Sequence, residues 1–222
     1  MLAENLAAAF GRPAWDVSMY VNVDAAALIG ADTLQDGQVA FREGPVCQCA
    51  RLGGFGVLDE VNMAKNEALA VLHATLDFRR VIDVPGYQRI PLDPAARFIG
   101  TMNYGYAGTR ELNEALASRF VVIDMPAITT EGLIKLLKRE FPSLKGVYAE
   151  QFAGLFQDIQ KKCDGGELST KPLDLRGLLA AVRLMRTGLE GNRALDLGLV
   201  NKSFDDFERQ LVRDVIRTRL PE

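Results

Sequence analysis

Long apolar runs are missing from these 222 residues, and none approaches the roughly 20 needed to cross a bilayer as a helix. The N-terminus, MLAENLAAAFGRP, lacks the basic region and apolar stretch of a secretory signal, so a cytoplasmic location is the expectation. Histidine is nearly absent: His73 is the only one. It lies in a helical stretch with no partner near it in sequence, which reads as packing or surface rather than as a ligand or base. Cysteine is scarce and odd in number, with Cys47, Cys49 and Cys163, which argues against a disulfide framework. The Cys47-x-Cys49 pair has no second Cys/His pair to complete a metal site. Excess charge of one sign is also missing: the net charge is −3, which gives no general pull toward nucleic acid or an anionic membrane.

What is present is ordinary globular material, 48% hydrophobic and 25% charged, long enough for one large domain or a domain and a smaller companion. The chain opens in helical spacing at Leu2, Leu6 and Phe10, with Gly11 and Pro13 ending the run. A strand is predicted over Asp16 to Val23, then a helix from Asp24, a plausible cap. Turn signals at Asp36-Gly37 and Gly44-Pro45 mark a hairpin-like insertion between Asp32 and Arg51.

The organising stretch is GGFGVLDEVNMA, Gly53 to Ala64. An apolar run, Phe55 to Leu58, ends in two adjacent carboxylates, Asp59 and Glu60. At the C-terminal end of a strand in an open α/β sheet, such a pair sits where ligands bind; alone, it is equally a buried strand followed by an acidic turn. Leu69, Leu72 and Leu76 then predict an amphipathic helix, and VIDVPGYQRIPLD a second turn-rich excursion. Arg97 to Asn103 reads as an apolar strand ending in an amide, Glu111 to Ser118 as a short helix, and FVVIDMP as a further strand directly after Arg119.

This alternation of helix and strand argues for a parallel sheet covered by helices. Past Pro126 the strands stop. Helices are predicted over Thr130 to Glu140, Tyr148 to Lys162 and the stretch KPLDLRGLLAAVRLM, and from about Phe204 with Phe207, Leu211 and Val215 inward. The boundary is expected near Ala127, with residues 1–127 an α/β core and 128–222 a small all-α domain.

Asp59 and Glu60 after one strand, Asn103 after the next and Arg119 before the last form the set that phosphoryl transfer needs, because its catalysis is mostly positioning and electrostatics. On these residues the sequence resembles an AAA+ ATPase of the MoxR-like, dynein-related branch. GVLDEVNMA resembles a Walker B strand, FIGTMN a sensor 1 strand, RELNEALASRF the box ending in an arginine finger, and LDLRGLLAAVRLM a sensor 2 helix in a helical lid. The excursions Asp36 to Arg51 and Val81 to Pro94 fall where that branch carries its helix-2 insert and pre-sensor 1 hairpin.

The resemblance implies a P-loop NTPase-type sheet and a lid, with ATP and Mg²⁺ as cofactors. It implies that Asp59 binds Mg²⁺ through water, Glu60 polarises the attacking water and Asn103 is the sensor amide. Arg119 would reach the nucleotide of a neighbouring subunit, with Arg110 a rival for that role, and Arg176 would contact the γ-phosphate in its own subunit. The bland alternatives are a solvated strand end, a turn asparagine, an arginine closing a helix and a solvated helix arginine. The implied assembly is a homo-oligomeric ring, a hexamer, acting as a chaperone on a client protein through a hairpin carrying Tyr87 and Arg89. A non-hydrolysing subunit of a heteromeric ring is one alternative. A nucleic-acid motor is another, and the small stripe Lys135, Lys138 and Arg139 supports it poorly.

The family's first strand and its Walker A loop, G-x-x-x-x-G-K-[ST], do not occur in the sequence. The resemblance places that strand between the Phe98 and Val121 strands, so the sheet is expected to show a gap there, and nucleotide binding by these residues alone to be weak. Reading the frame upstream of Met1 is expected to reveal G-x-x-x-x-G-K-[ST] within about twenty residues, as a loop opening the first helix requires. An upstream sequence without it would favour a member that has lost hydrolysis.

Overall fold

The computed structural model describes residues 2–84, 86–103 and 111–220. By its internal packing the chain divides into two compact units, Met1–Asp124 and Met125–Glu222.

In the first unit, α1 (Leu2–Ala9) buries Ala3 and Ala7 and leaves Leu2, Leu6 and Phe10 outward. The leucine spacing marks the helix, yet its small face is the one that packs. β1 (Ala14–Ser18) is shorter than the predicted strand. α2 (Ala25–Ile29) starts as expected, with Asp24 accepting the N–H of Ala27 at 2.8 Å.

β2 (Gly30–Gln35) and β3 (Gln38–Glu43) form an antiparallel hairpin. Its turn residues Asp36 and Gly37 have φ of 52° and 78°, the left-handed pair that a two-residue hairpin favours. The rest of the predicted excursion is not hairpin but helix, α3 (Pro45–Leu52). Gly44-Pro45 is a helix start rather than a turn, because proline presets φ and its missing N–H is not needed in the first turn. Val46, Cys47, Cys49 and Ala50 supply the buried face.

β4 (Phe55–Asp59) follows, with Gly56, Val57 and Leu58 buried. The amphipathic helix predicted next is divided into α4 (Asn66–Leu69), a tighter turn over Ala70–Leu72 and α5 (His73–Leu76), and Leu69 and Leu72 are buried. The second excursion closes into a small antiparallel ladder of β5 (Val81–Ile82) and β6 (Ile90–Pro91). β7 (Arg97–Gly100) and α6 (Glu114–Ala117) complete the unit.

The main sheet runs in the order β1-β4-β7 and is parallel throughout. Its register sets Ser18 beside Asp59 and Leu58 beside Gly100, so β4 is central and its acidic end is framed on both sides. The α/β fold class is thus as the alternation predicted. The strand predicted over FVVIDMP is not formed: residues 121–127 are not in a strand, and Val121, Val122, Ile123 and Met125 are exposed, Val121 at 89%. An apolar segment becomes a strand only with a neighbour to bond to, and β7 is the last strand of the sheet on that side.

The second unit is helical. α7 (Thr130–Glu140) is capped by Thr129, whose hydroxyl accepts the N–H of Gly132 at 3.1 Å. α8 (Gly146–Asp164), α9 (Leu175–Arg186), α10 (Gly191–Gly198) and α11 (Asp206–Arg219) follow. Leu133, Leu137, Phe141, Leu155, Leu178 and Val212 are among its buried core. Sequence reasoning missed α10, a short helix with a glycine at each end. Gly177 of α9 and Gly198 of α10 let the two backbones touch: a Cβ at position 177 would lie 2.1 Å from the Gly198 carbonyl oxygen. α11 turns Val212, Val215 and Ile216 inward, while Phe207, expected inside, is exposed. Val215 and Leu211 thus lie on the inner face as predicted, and only Phe207 does not.

Glu208 ties the linker before α9 to α11. Its carboxylate accepts from the Ser169 N–H at 2.7 Å, from the Ser169 hydroxyl at 3.0 Å and from the hydroxyl of buried Ser203. The Ser203 bond, helped by those from Ser169, holds this carboxyl below the usual glutamate range. A depressed folded value means that the stabilisation is complete above the unfolded pKa of about 4.3 and is lost as pH falls through the folded value. Glu208→Gln is expected to lower stability by about 1 kcal/mol at pH 7. In denaturant titrations the difference from wild type should close as the pH is taken below about 4.

Candidate active site

Asp59 is the last residue of β4 and Glu60 begins the turn that leaves it. Glu60 has φ 57° and ψ 45°. For a residue with a side chain this left-handed backbone costs about 1 kcal/mol, so its surroundings must hold it. They do so through the segment after β7. The Glu60 N–H donates to the Thr101 hydroxyl at 3.0 Å, and the Val61 N–H donates to the Thr101 carbonyl at 2.9 Å. The Thr101 N–H returns to the Leu58 carbonyl at 3.0 Å. On the other flank the Met19 N–H donates to the Asp59 carbonyl at 2.8 Å.

The same geometry arranges the side chains. The Thr101 hydroxyl donates to Asp59 Oδ1 at 2.5 Å, a charge-assisted bond at the short end of the range. The Asn103 amide donates from Nδ2 to Glu60 Oε1 at 3.1 Å. Asn62, 3% exposed, donates from its own amide to the Asn103 carbonyl at 3.1 Å and thereby fixes the backbone that carries the Asn103 side chain. Asp59, Glu60 and Asn103 therefore share one rim at the C-terminal ends of β4 and β7. Asp59 and Glu60 are exposed there, as reaction with a ligand from solution requires.

Arg119 lies elsewhere in the unit. It follows α6 in a turn, and its Nη2 is 3.9 Å from Asp77 while Nη1 donates to the Ala115 carbonyl. Its Nε is buried without a hydrogen-bond partner among the described residues. Asp77 is gripped chiefly by Arg79, whose Nη2 donates to Oδ2 at 2.6 Å. That bond, with further attraction from Arg119, pulls the Asp77 carboxyl down to about 2. Arg110 lies outside the described residues. Arg176 is an exposed residue in the first turn of α9, in the second unit.

The excursions are linked. The Tyr87 hydroxyl, in the turn of the second, donates to Asp32 Oδ1 on β2 at 2.7 Å, and its ring packs on Phe41 of β3 with centroids 5.1 Å apart. Arg89, on the same excursion, pairs with Asp83 at 2.5 Å.

The three cysteines are free. Cys47 and Cys49 are fully buried in α3, and burial pushes their thiols up to about 12 and about 11, which keeps them protonated at neutral pH. Among the described residues no group of three or more His, Cys, Asp or Glu could hold a metal by itself. The oxygen donors of Asp59 and Glu60 do suit Mg²⁺, which keeps several waters and takes only one or two carboxylates beside phosphate.

Sequence reasoning missed Thr101, Asn62 and Asp77. Thr101 and Asn103 are two residues apart and so share a face of an extended segment, a signal that was available. Asp77 had none, because its approach to Arg119 joins residues far apart in the chain.

Residues 1–120 match the family described as AAA domain (dynein-related subfamily). Over 222 residues the chain is 35% identical to the uncharacterized protein YojN of Bacillus subtilis (strain 168), covering 98% of this chain and 73% of that one. It is 33% identical to the uncharacterized protein SH1500 of Staphylococcus haemolyticus, covering 97% of this chain and 84% of that one. It is 32% identical, with the same coverage, to the uncharacterized protein SAB1265c of Staphylococcus aureus.

Proposed function

The chain belongs to the dynein-related subfamily of AAA domains, and from that premise we propose that it is the hydrolytic part of an ATP-driven ring that remodels or activates a client protein, in the manner of the MoxR-like branch. The observation that carries this reading is the contact of Asn103 Nδ2 with Glu60 Oε1 at 3.1 Å, beside Asp59. An amide, a base and a metal-binding acid meet at neighbouring strand ends, which is what an in-line attack on a phosphoryl group needs.

Asp59 would hold Mg²⁺ through water, and Glu60 would accept a hydrogen bond from the attacking water and orient it. The metal, when bound, neutralises charge building on the phosphate oxygens. Asn103 donates to Glu60 here, and in the loaded site the same amide turns to a γ-phosphate oxygen, freeing Oε1 for the water. Arg119 serves the nucleotide of the next subunit, where its guanidinium offsets developing negative charge. Arg176 does so from the helical unit within its own subunit. The two linked excursions form the face that moves against the client. A cytoplasmic, hexameric chaperone is the assembly that fits these parts.

A second reading starts from Arg119, whose guanidinium lies 3.9 Å from Asp77 without a close ion pair. In that reading the protein donates Arg119 to a partner ATPase without hydrolysing ATP itself.

One set of assays on the natural gene product separates the readings. Glu60→Gln is expected to slow ATP hydrolysis by about 10²–10⁴-fold with little change in nucleotide affinity. Arg119→Ala should slow it by about 10³-fold, and a mixture of the two variants should recover activity that neither has alone. Equal rates for wild type and Glu60→Gln would contradict the hydrolytic reading. Stimulation of a partner's ATPase that Arg119→Ala abolishes, in a protein inert by itself, would establish the second.

A further inference from the structure

We propose that Thr101 is a positioning residue for both acids of the site, an inference that rests on the hydrolytic reading above. Its hydroxyl touches both: it accepts the Glu60 N–H at 3.0 Å and donates its own hydrogen to Asp59 Oδ1 at 2.5 Å. Each half of this contact has a separate consequence.

The first half concerns the backbone. Glu60 is one of three described non-glycine residues with positive φ, the others being Asp36 and Arg80. Asp36 is explained by a hairpin turn next to a glycine. Glu60 sits beside Asp59 at the mouth of the sheet, and left-handed backbone in such a place persists only where its surroundings over-determine it. The Thr101 hydroxyl takes the N–H that this conformation presents, and its carbonyl takes the next one, from Val61 at 2.9 Å. The direction in which Glu60 leaves the chain is thereby set by Thr101.

The second half concerns charge and orientation. A hydroxyl donating to Oδ1 restrains the Asp59 carboxylate and engages one of its two oxygens, directing the other toward water and metal. Valine has the shape of threonine without the hydroxyl, so it removes both bonds together and leaves the Thr101 backbone bonds to Leu58 and Val61 in place. Serine keeps the hydroxyl and loses only a methyl group.

The experiment compares wild type, Thr101→Val, Thr101→Ser and Glu60→Gln in the natural gene product. For Thr101→Val, kcat for ATP should fall about 10–100-fold, as loss of a partner behind a metal-binding acid does. KM for ATP should move less than about threefold, and the Mg²⁺ concentration giving half-maximal rate should rise. Thr101→Ser should return kcat to within about threefold of wild type. Independently of turnover, exchange of the Glu60 amide hydrogen, followed by NMR, should be faster in Thr101→Val and close to wild type in Thr101→Ser. Unchanged kcat in Thr101→Val, or a serine variant as impaired as the valine variant, would overturn the proposal. If wild type and Glu60→Gln hydrolyse ATP equally, the hydrolytic reading has failed on its own. The clasp is then decided by the Glu60 amide: faster exchange in the valine variant alone upholds it, and equal exchange overturns it.

Discussion

The turn at Glu60 is the constraint on which the site depends. β4 is the central strand of a parallel sheet, and its last residue carries a carboxylate that must face solvent while the residues just before it are buried. A strand that simply continued would send successive side chains to opposite faces, and two adjacent acids would part. The left-handed residue breaks that alternation at the rim, and the bonds from Thr101 hold it there. The ends of β4 and β7 are held level by the register of Leu58 with Gly100 and by the buried amide of Asn62 on the Asn103 carbonyl.

Two sets of charges in this unit bear on the site. At the rim, carboxylates are met by neutral donors, a hydroxyl and an amide, so the acids stay available to a cation. Away from the rim, Asp77 collects Arg79 and Arg119. An arginine 3.9 Å from a carboxylate, with its side chain a quarter exposed, is restrained without a close ion pair of its own. A guanidinium held in that way can be drawn to a stronger anion, which is consistent with the proposed use of Arg119 toward a neighbouring nucleotide.

Much of this was legible in sequence where the signal is local. The apolar run that ends in Asp59 and Glu60, the amide that ends the Arg97 strand, the cap at Asp24 and the hairpin turn at Asp36-Gly37 all depend on residues close together in the chain. The helices of the second unit were legible from their apolar period, apart from α10, whose flanking glycines hid it. The misses come from partners distant in sequence. FVVIDMP has the composition of a strand but lacks a neighbour beside β7, so no strand forms and Val121, Val122 and Ile123 are left exposed. Gly44-Pro45 has the composition of a turn, yet the apolar face behind it makes a helix. The approach of Arg119 to Asp77 joins residues far apart in the chain and had no local signal.

The most direct test is a crystal structure of the natural gene product with Mg²⁺ and a non-hydrolysable ATP analogue. The account predicts a Mg²⁺-bound water on Asp59, a water held by Glu60 in line with the γ-phosphate, and the Asn103 amide turned from Glu60 to a γ-phosphate oxygen. A nucleotide bound away from the ends of β4 and β7, with Asn103 still on Glu60, would contradict it.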